Sequence, residues 1–285
     1  MLFKNSDRIK VLNEIIPLIS DYSGSIFVVK YGGAAMTDNS FVNGFVQDIL
    51  LLYNLGIKIV IVHGGGPLIN DWLNKLNIVP KFNNGLRVTD RKTMEVVEMV
   101  LCGKVNKYLV ALFNRNSPIA VGLSGKDASL IIGEPIFSCS ENFVAEVKQI
   151  NSEVLDILLS NNYIPVIAST ACNIKGDTYN INADIAAGSI ASSLKAQKLF
   201  LLTDTPGIMY DVLDDSSIIN NISCTQIDLL KEKDIIKGGM IPKVNSCVSA
   251  LYNGVRSAYI INGKLQHSLL YELFTDYKTG TKIDL

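Results

Sequence analysis

Apolar positions along this chain fall into two alternating patterns. Short, nearly continuous runs rich in Val and Ile, such as "SIFVVKYGG", "IKIVIVHGGG", "YIPVIAS", "KLFLLTD" and "VRSAYIING", each end in glycine or a polar loop. Such runs predict strands buried on both faces, as in a parallel sheet. Between them lie longer amphipathic segments. "SFVNGFVQDILLLYNLG" places Phe41, Phe45, Ile49 and Leu52 on one side, with Gly56 as a stop. "TDRKTMEVVEMVLCGKVNKYLVALFNRN" predicts one long helix capped by Thr89 or Asp90, with Met94, Val97, Leu101, Val105, Tyr108 and Leu112 as its stripe. "NADIAAGSIASSLKA" and "GGMIPKVNSCVSALYNG" predict two more. Strands alternating with helices predict an α/β fold, a mainly parallel sheet between helix layers.

Two regions depart from this alternation. Residues 123–150 predict short antiparallel strands, a hairpin elaboration over a site. Residues 6–20 predict a helix with Ser6 as N-cap, apolar positions Ile9, Leu12, Ile15, Ile16 and Ile19, and a kink at Pro17. That helix either packs on its own domain or docks on another subunit.

At 285 residues, 48% hydrophobic and with net charge −1, the chain has ample core and no basic block. Nucleic-acid and membrane-surface binding are therefore not expected. No apolar run reaches the roughly 20 residues of a membrane span. "MLFKNSDRIK" predicts no secretory leader. The five cysteines, Cys102, Cys139, Cys172, Cys224 and Cys247, contain no Cys-x-x-Cys pair and predict free thiols.

The glycines at strand ends carry the chemistry. In "VHGGGPLIND", three glycines precede Pro67 at the expected first position of a helix. A bare backbone beside a helix N-terminus forms an anion cradle; a tight turn alone accounts for one glycine. Two nucleotide motifs fail. The dinucleotide fingerprint needs a glycine where Ile69 stands, and "GLSGKD" is too short for a Walker A loop. With only His63 and His267, no Gly-x-Ser-x-Gly elbow and no metal-spaced cluster, histidine-based and metal-site chemistries lack material. What remains is Lys30 in "KYGG", Lys243 in "GGMIPK" and the "NINAD" cluster. Lysines, glycine loops and a positioned aspartate suit phosphoryl transfer, which needs alignment and charge neutralisation. A carboxylate acceptor, which ordinarily titrates near a pH of roughly 4, is already ionised at neutral pH and needs no general base.

"KYGG", "VHGGGP", "NGLRVTD", "NINAD", "LLTDTPGI" and "GGMIPKV" occur in that order across nearly the whole chain. Together they resemble the amino-acid kinase family, and within it the acetylglutamate kinase branch. The resemblance implies a three-layer αβα sandwich around a mainly parallel central sheet, with a substrate-binding N-terminal half and an ATP-binding C-terminal half within residues 23–285. It implies transfer of the γ-phosphoryl group of ATP to the γ-carboxylate of N-acetyl-L-glutamate, with Mg2+ held mainly by the nucleotide phosphates. By the same resemblance Lys30 and Lys243 stabilise the transition state, and Asp184 holds both lysines. Gly32 and Gly33 face the moving phosphoryl, and Gly65, Gly66, Arg87, Asn180 and Asn182 bind substrate. Thr203, Asp204, Gly238 and Gly239 lie near the nucleotide.

Residues 1–22 resemble the N-terminal helix that joins arginine-inhibited members into homo-hexamers. Those members carry a His and a Gly where this chain has Tyr259 and Lys278, and the Glu here is Glu272. The resemblance therefore implies a hexamer with weakened or altered arginine inhibition. The motif wording is similar to cyanobacterial and plastid members, implying the PII signalling protein as a partner and a bacterial cytoplasm or a plastid stroma as the location. Aspartokinases and glutamate 5-kinases carry C-terminal additions, and carbamate kinases lack the Arg87 context. A non-catalytic sensor needs neither Lys30 nor Lys243.

Overall fold

A computed structural model describes residues 5–36, 38–83, 86–136 and 142–285. Helix α1 (Asn5–Tyr22) leads into β1 (Ile26–Tyr31), α2 (Asn39–Asn54), β2 (Lys58–His63) and α3 (Gly66–Lys75). A small hairpin, β3 (Phe82–Asn83) and β4 (Leu86–Arg87), precedes α4 (Arg91–Glu98), a π-helical segment (Met99–Val105) and α5 (Asn106–Phe113). Then come β5 (Ala120–Ser124), β6 (Ile131–Pro135), β7 (Ala145–Ile150), α6 (Glu153–Ser160), β8 (Ile164–Ala168), β9 (Thr170–Cys172) and β10 (Thr178–Asn180). The last part holds α7 (Ala183–Ser193), β11 (Lys198–Thr203), β12 (Asn221–Ser223), α8 (Cys224–Glu232), α9 (Met240–Tyr252), β13 (Ser257–Asn262), α10 (Ser268–Phe274) and β14 (Gly280–Asp284).

The main sheet runs β12-β14-β13-β11-β1-β2-β8-β5. Six strands from β13 to β5 pair in parallel, while β14 runs antiparallel to β13. Strand parity divides the core. Phe27, Val29 and Tyr31 of β1 face a cluster with α2, α3, α4, α5 and α10, whereas Val28 faces one with α6, α7, α8 and α9. This is the expected αβα sandwich. Lys30 shares the parity of Val28, so the alternation itself aims it toward α7.

Several local expectations change. Asn5 is already helical, so Ser6 lies inside α1, its hydroxyl on Asp7. The helix runs through Pro17. Pro67 is the second residue of α3, with Gly65 as its N-cap. Of the two candidate caps, Asp90 caps α4, accepting from Thr93 N–H at 2.8 Å. The single long helix is interrupted by the π segment, whose wider turn rotates later positions off a 3.6-residue stripe. Tyr108 is therefore exposed, and Leu109 takes its place in the core. Residues 131–150 do form an antiparallel pair, β6 with β7, but β5 belongs to the main sheet, and β9 and β10 complete a second, four-stranded sheet. Cys139 lies outside the described residues; the other four cysteines are free thiols. Among the described residues no helix is long and apolar enough to cross a membrane.

Candidate active site

The parallel strands β11, β1 and β2 deliver their carboxyl ends side by side, where α/β folds bind ligands. Lys30, the penultimate residue of β1, is buried, and its Nζ lies 3.0 Å from Asp184 Oδ1. Lys243, on the first turn of α9, reaches the other oxygen, with Nζ 2.7 Å from Asp184 Oδ2. Asp184 is itself buried at the second position of α7. Asn182 caps that helix, its Oδ1 accepting from Asp184 N–H (2.8 Å) and Ile185 N–H (3.3 Å). Ser246, one turn beyond Lys243, donates its hydroxyl to the Asp184 carbonyl at 2.5 Å, which locks α9 to α7.

One carboxylate thus sits between two ammonium groups, leaving a net positive charge. Burial by itself pushes the Asp184 carboxyl up, but Lys30 and Lys243 outweigh it and hold it below the usual carboxylate range. Burial pulls the Lys30 ammonium down, with Lys243 adding to the effect and Asp184 opposing it. Asp184 alone does not balance the buried Lys30 and the half-buried Lys243, although Asp204 also acts on Lys30, so the pair of ammonium groups suits an incoming polyanion.

Two cavities flank these three side chains, one lined by Lys30 and Asp184 and the other by Lys243. The first, about 250 Å³, is lined by Lys30, Gly32, Gly33, Gly65, Gly66, Arg87, Asn180, Asn182 and Asp184. The second, about 350 Å³, is lined by Thr203, Asp204, Gly239 and Lys243, together with Thr205, Met209 and Lys237. Gly238 is not on its wall but precedes α9 in the left-handed region, with φ +54. Gly33 also has φ +71, and a Cβ there would stand 2.6 Å from Asp204 Oδ1, so only glycine fits beside that carboxylate. At Gly32 a Cβ would press on the Lys30 ammonium at 3.3 Å.

Arg87, at the end of β4, is buried, and burial lowers its guanidinium from the usual arginine value. Its Nη2 donates to Asn70 Oδ1 at 2.6 Å, and the Phe82 ring lies 4.8 Å from its Cζ. Its Nη1 is buried with no protein partner. An orphaned guanidinium nitrogen on a cavity wall fits a ligand carboxylate or other anion. Beneath the glycine loop His63 is fully buried and neutral. Its Nδ1–H donates to the Gly64 carbonyl (3.0 Å) and its Nε2 accepts from Asn106 Nδ2 (3.1 Å). Burial lowers its pKa to about 4.

A sequence profile of the Amino acid kinase family matches residues 25–262. The chain belongs to the amino acid kinase family. An acetylglutamate kinase of Gracilaria tenuistipitata var. liui is 51% identical over 285 residues, covering 100% of both chains. That of Nostoc punctiforme (strain ATCC 29133 / PCC 73102) is 51% identical over 276 residues, 97% of this chain and 93% of its own. Among solved structures, the N-acetylglutamate synthase from Neisseria gonorrhoeae, complexed with coenzyme A and N-acetyl-glutamate, superposes with TM-score 0.85 at 27% identity. That match covers 97% of this chain, which spans 63% of the synthase chain. Carbamate kinase from Giardia lamblia bound to AMP-PNP shares the fold, with TM-score 0.68 at 17% identity over 92% of this chain and 99% of its own.

For an amino acid kinase, sequence reasoning reached the two lysines, Asp184 and Arg87, but missed the polar residues that hold them. Asn70, which accepts from Arg87, and Ser246, which donates to the Asp184 carbonyl, fall outside the six motifs. Their partners are remote in sequence, so no spacing signal marks them.

Proposed function

We propose that the chain transfers the γ-phosphoryl group of ATP to the γ-carboxylate of N-acetyl-L-glutamate, giving N-acetyl-L-glutamyl 5-phosphate and ADP, in arginine biosynthesis. The observation that carries this reading is the pair of ammonium groups on opposite oxygens of Asp184, with Lys30 lining one cavity and Lys243 the other. The acidic substrate occupies the first cavity, with its α-carboxylate on Arg87. Gly65 and Gly66 back it, while Asn180 and Asn182 meet its remaining polar atoms. The nucleotide enters the second cavity past Thr203, Asp204, Gly238 and Gly239. A γ-carboxylate oxygen bonds to the γ-phosphorus as the bond from phosphorus to the β,γ-bridging oxygen breaks, and ADP leaves with the electron pair. No proton moves. Lys30 and Lys243, with backbone N–H groups of Gly32 and Gly33, neutralise the charge in flight. Each ammonium at about 4 Å contributes on the order of 4 kcal/mol at an effective dielectric of 20.

Among the described residues no cluster of three or more His, Cys, Asp or Glu side chains is placed to hold a metal, and Asp184 is already committed to two lysines. This donor set fits a magnesium ion that arrives on the nucleotide phosphates. Such an ion would supply further charge neutralisation to the phosphates it arrives on.

The same reading extends to assembly and regulation. Ile9, Leu12 and Ile16 form an exposed apolar stripe on α1, which supports docking of that helix on a second copy and a homo-hexamer. Behind α1 lies a cavity of about 910 Å³, bounded by Lys198, Tyr259, Glu272 and Lys278. There Lys278 Nζ already donates to the carbonyls of Glu272 (3.1 Å) and Thr275 (2.7 Å), and the Glu272 carboxylate is taken up by Thr279. Those acceptors are occupied by the protein itself, which supports weakened arginine inhibition. The PII signalling protein is proposed as a partner, in a plastid stroma or bacterial cytoplasm.

A coupled ADP-release assay with N-acetyl-L-glutamate, L-glutamate and L-aspartate tests the function. Turnover of the acetylated substrate above the other two is expected. Preference for free glutamate overturns the substrate, and ligand binding without turnover of any of the three overturns the activity.

A further inference from the structure

Thr89 is fully buried, lies between two candidate substrate-binding residues and belongs to neither. Its hydroxyl donates to the Arg87 carbonyl at 2.9 Å and accepts from Asn180 Nδ2 at 3.3 Å. Its backbone N–H donates to Asn142 Oδ1 at 3.2 Å. Its carbonyl accepts from Phe143 N–H at 2.7 Å, and Phe143 in turn accepts from Asn180 N–H at 2.8 Å. Every hydrogen-bonding group of this one residue is used, and the two partners of its hydroxyl come from two sheets. Arg87 ends β4 of the small hairpin, whereas Asn180 ends β10 of the four-stranded sheet. Two residues after Asn180, Asn182 begins the cap that presents Asp184.

A threonine hydroxyl is suited to this place because it gives one hydrogen and takes another at a single atom. Valine has the same shape and offers neither. Its introduction leaves the Arg87 carbonyl and the Asn180 amide without that partner in a buried setting. The Arg87 peptide plane, and with it the direction in which the guanidinium leaves the backbone, then loses its anchor.

We propose that Thr89 is a positioning residue that clasps Arg87 to Asn180, so that the grip on the substrate α-carboxylate and the floor of the substrate cavity are set as one unit. The inference rests on the function proposed above. It predicts an effect on the acidic substrate and little on the phosphoryl donor, since the hydrogen bonds of Thr89 go to Arg87, Asn142, Phe143 and Asn180 and not to Lys30, Asp184 or Lys243.

The test compares the parent with Thr89→Val and Thr89→Ser in steady-state ADP release. Two acceptors are used, N-acetyl-L-glutamate and 4-acetamidobutyrate, which keeps the acetamido group and the reacting carboxylate but lacks the α-carboxylate. The expected result for T89V is a KM for N-acetyl-L-glutamate about tenfold higher, with kcat and the KM for ATP within about twofold of the parent. T89S restores the KM to within about twofold. On 4-acetamidobutyrate the loss in kcat/KM is at least threefold smaller, because the contact Arg87 makes is absent. If T89V melts below the assay temperature, Thr89→Ala removes the same hydroxyl with less bulk and is judged by the same criteria. An unchanged KM, a loss confined to kcat, or equal losses on both acceptors overturns the inference alone. A parent inactive on N-acetyl-L-glutamate overturns the proposed function and this inference with it.

Discussion

Asp184 carries two loads. A buried carboxylate is unfavourable unless paired; here it is paired at both oxygens, and each pairing fixes a lysine. Lys243→Ala removes one of two charges that act on the transferring phosphoryl group. It is expected to lower kcat at least 100-fold while leaving both KM values within about threefold. Initial-rate kinetics check this, and a binding loss with unchanged kcat removes Lys243 from the chemistry. His63 makes a different prediction. Its folded pKa of about 4 lies below the ordinary 6.5, because burial disfavours the imidazolium. Its stabilising contribution is therefore fully present above pH 6.5 and lost as pH falls to about 4, an effect of about 3 kcal/mol. Urea unfolding at pH 7 and pH 4.5 is expected to show a smaller decline for His63→Asn than for the parent. Asp48, which burial pushes up to about 6, works in the opposite sense but is common to both proteins. Equal declines contradict the assignment. At this scale the sequence exposed residues whose type is costly in its setting, such as a lysine ending an apolar strand. Thr89 and Ser246 stayed hidden because a hydroxyl carries no signal until its buried partners are known.

Helix α7 is the element on which the site depends. Its amphipathicity is weak, since small residues such as Ala186, Ala187 and Ala191 pack it closely on the sheet and Gly188 meets Ser246 of α9. Its start is set by Asn182, whose side chain takes two N–H groups, one of them from Asp184. Asn182→Ala is expected to destabilise the protein by about 1 kcal/mol. It is also expected to reduce kcat more than KM, since the cap orients the residue that orients both lysines. Denaturant melts and kinetics on the same variant check the two parts; a stability loss with normal turnover contradicts the link. Helices and parallel strands were legible because burial on both faces writes continuous apolar runs. The π segment was not. It widens one turn inside a pattern otherwise of helical period, so Tyr108 looked like core and Leu109 did not. Strands β12 and β14 were also missed: β12 has three residues, and β14, with sequence GTKID, has Ile283 as its one large apolar residue and so writes no apolar run.

Across the whole molecule the sheet order puts β11, β1 and β2 at the centre, so the strand ends carrying Thr203, Lys30 and His63 converge on one face. That convergence was legible, because parallel sheets bind ligands beyond their carboxyl ends. The role of α1 was left open between internal packing and subunit contact. The structure puts Tyr22 against Phe27 and leaves Ile9, Leu12 and Ile16 exposed, so the helix has one covered and one uncovered side. Light scattering is expected to give a hexamer for the full chain and a smaller species without residues 1–22; equal masses contradict a role for the stripe in assembly. The central claim is that both ammonium groups act on the phosphoryl group in transit. Its most direct test is a crystal structure with N-acetyl-L-glutamate, Mg-ADP and a metal-fluoride mimic of the moving phosphoryl group. The account predicts Lys30 Nζ and Lys243 Nζ each about 3 Å from the mimic, with Asp184 still between them. A mimic bound beyond reach of either ammonium contradicts it.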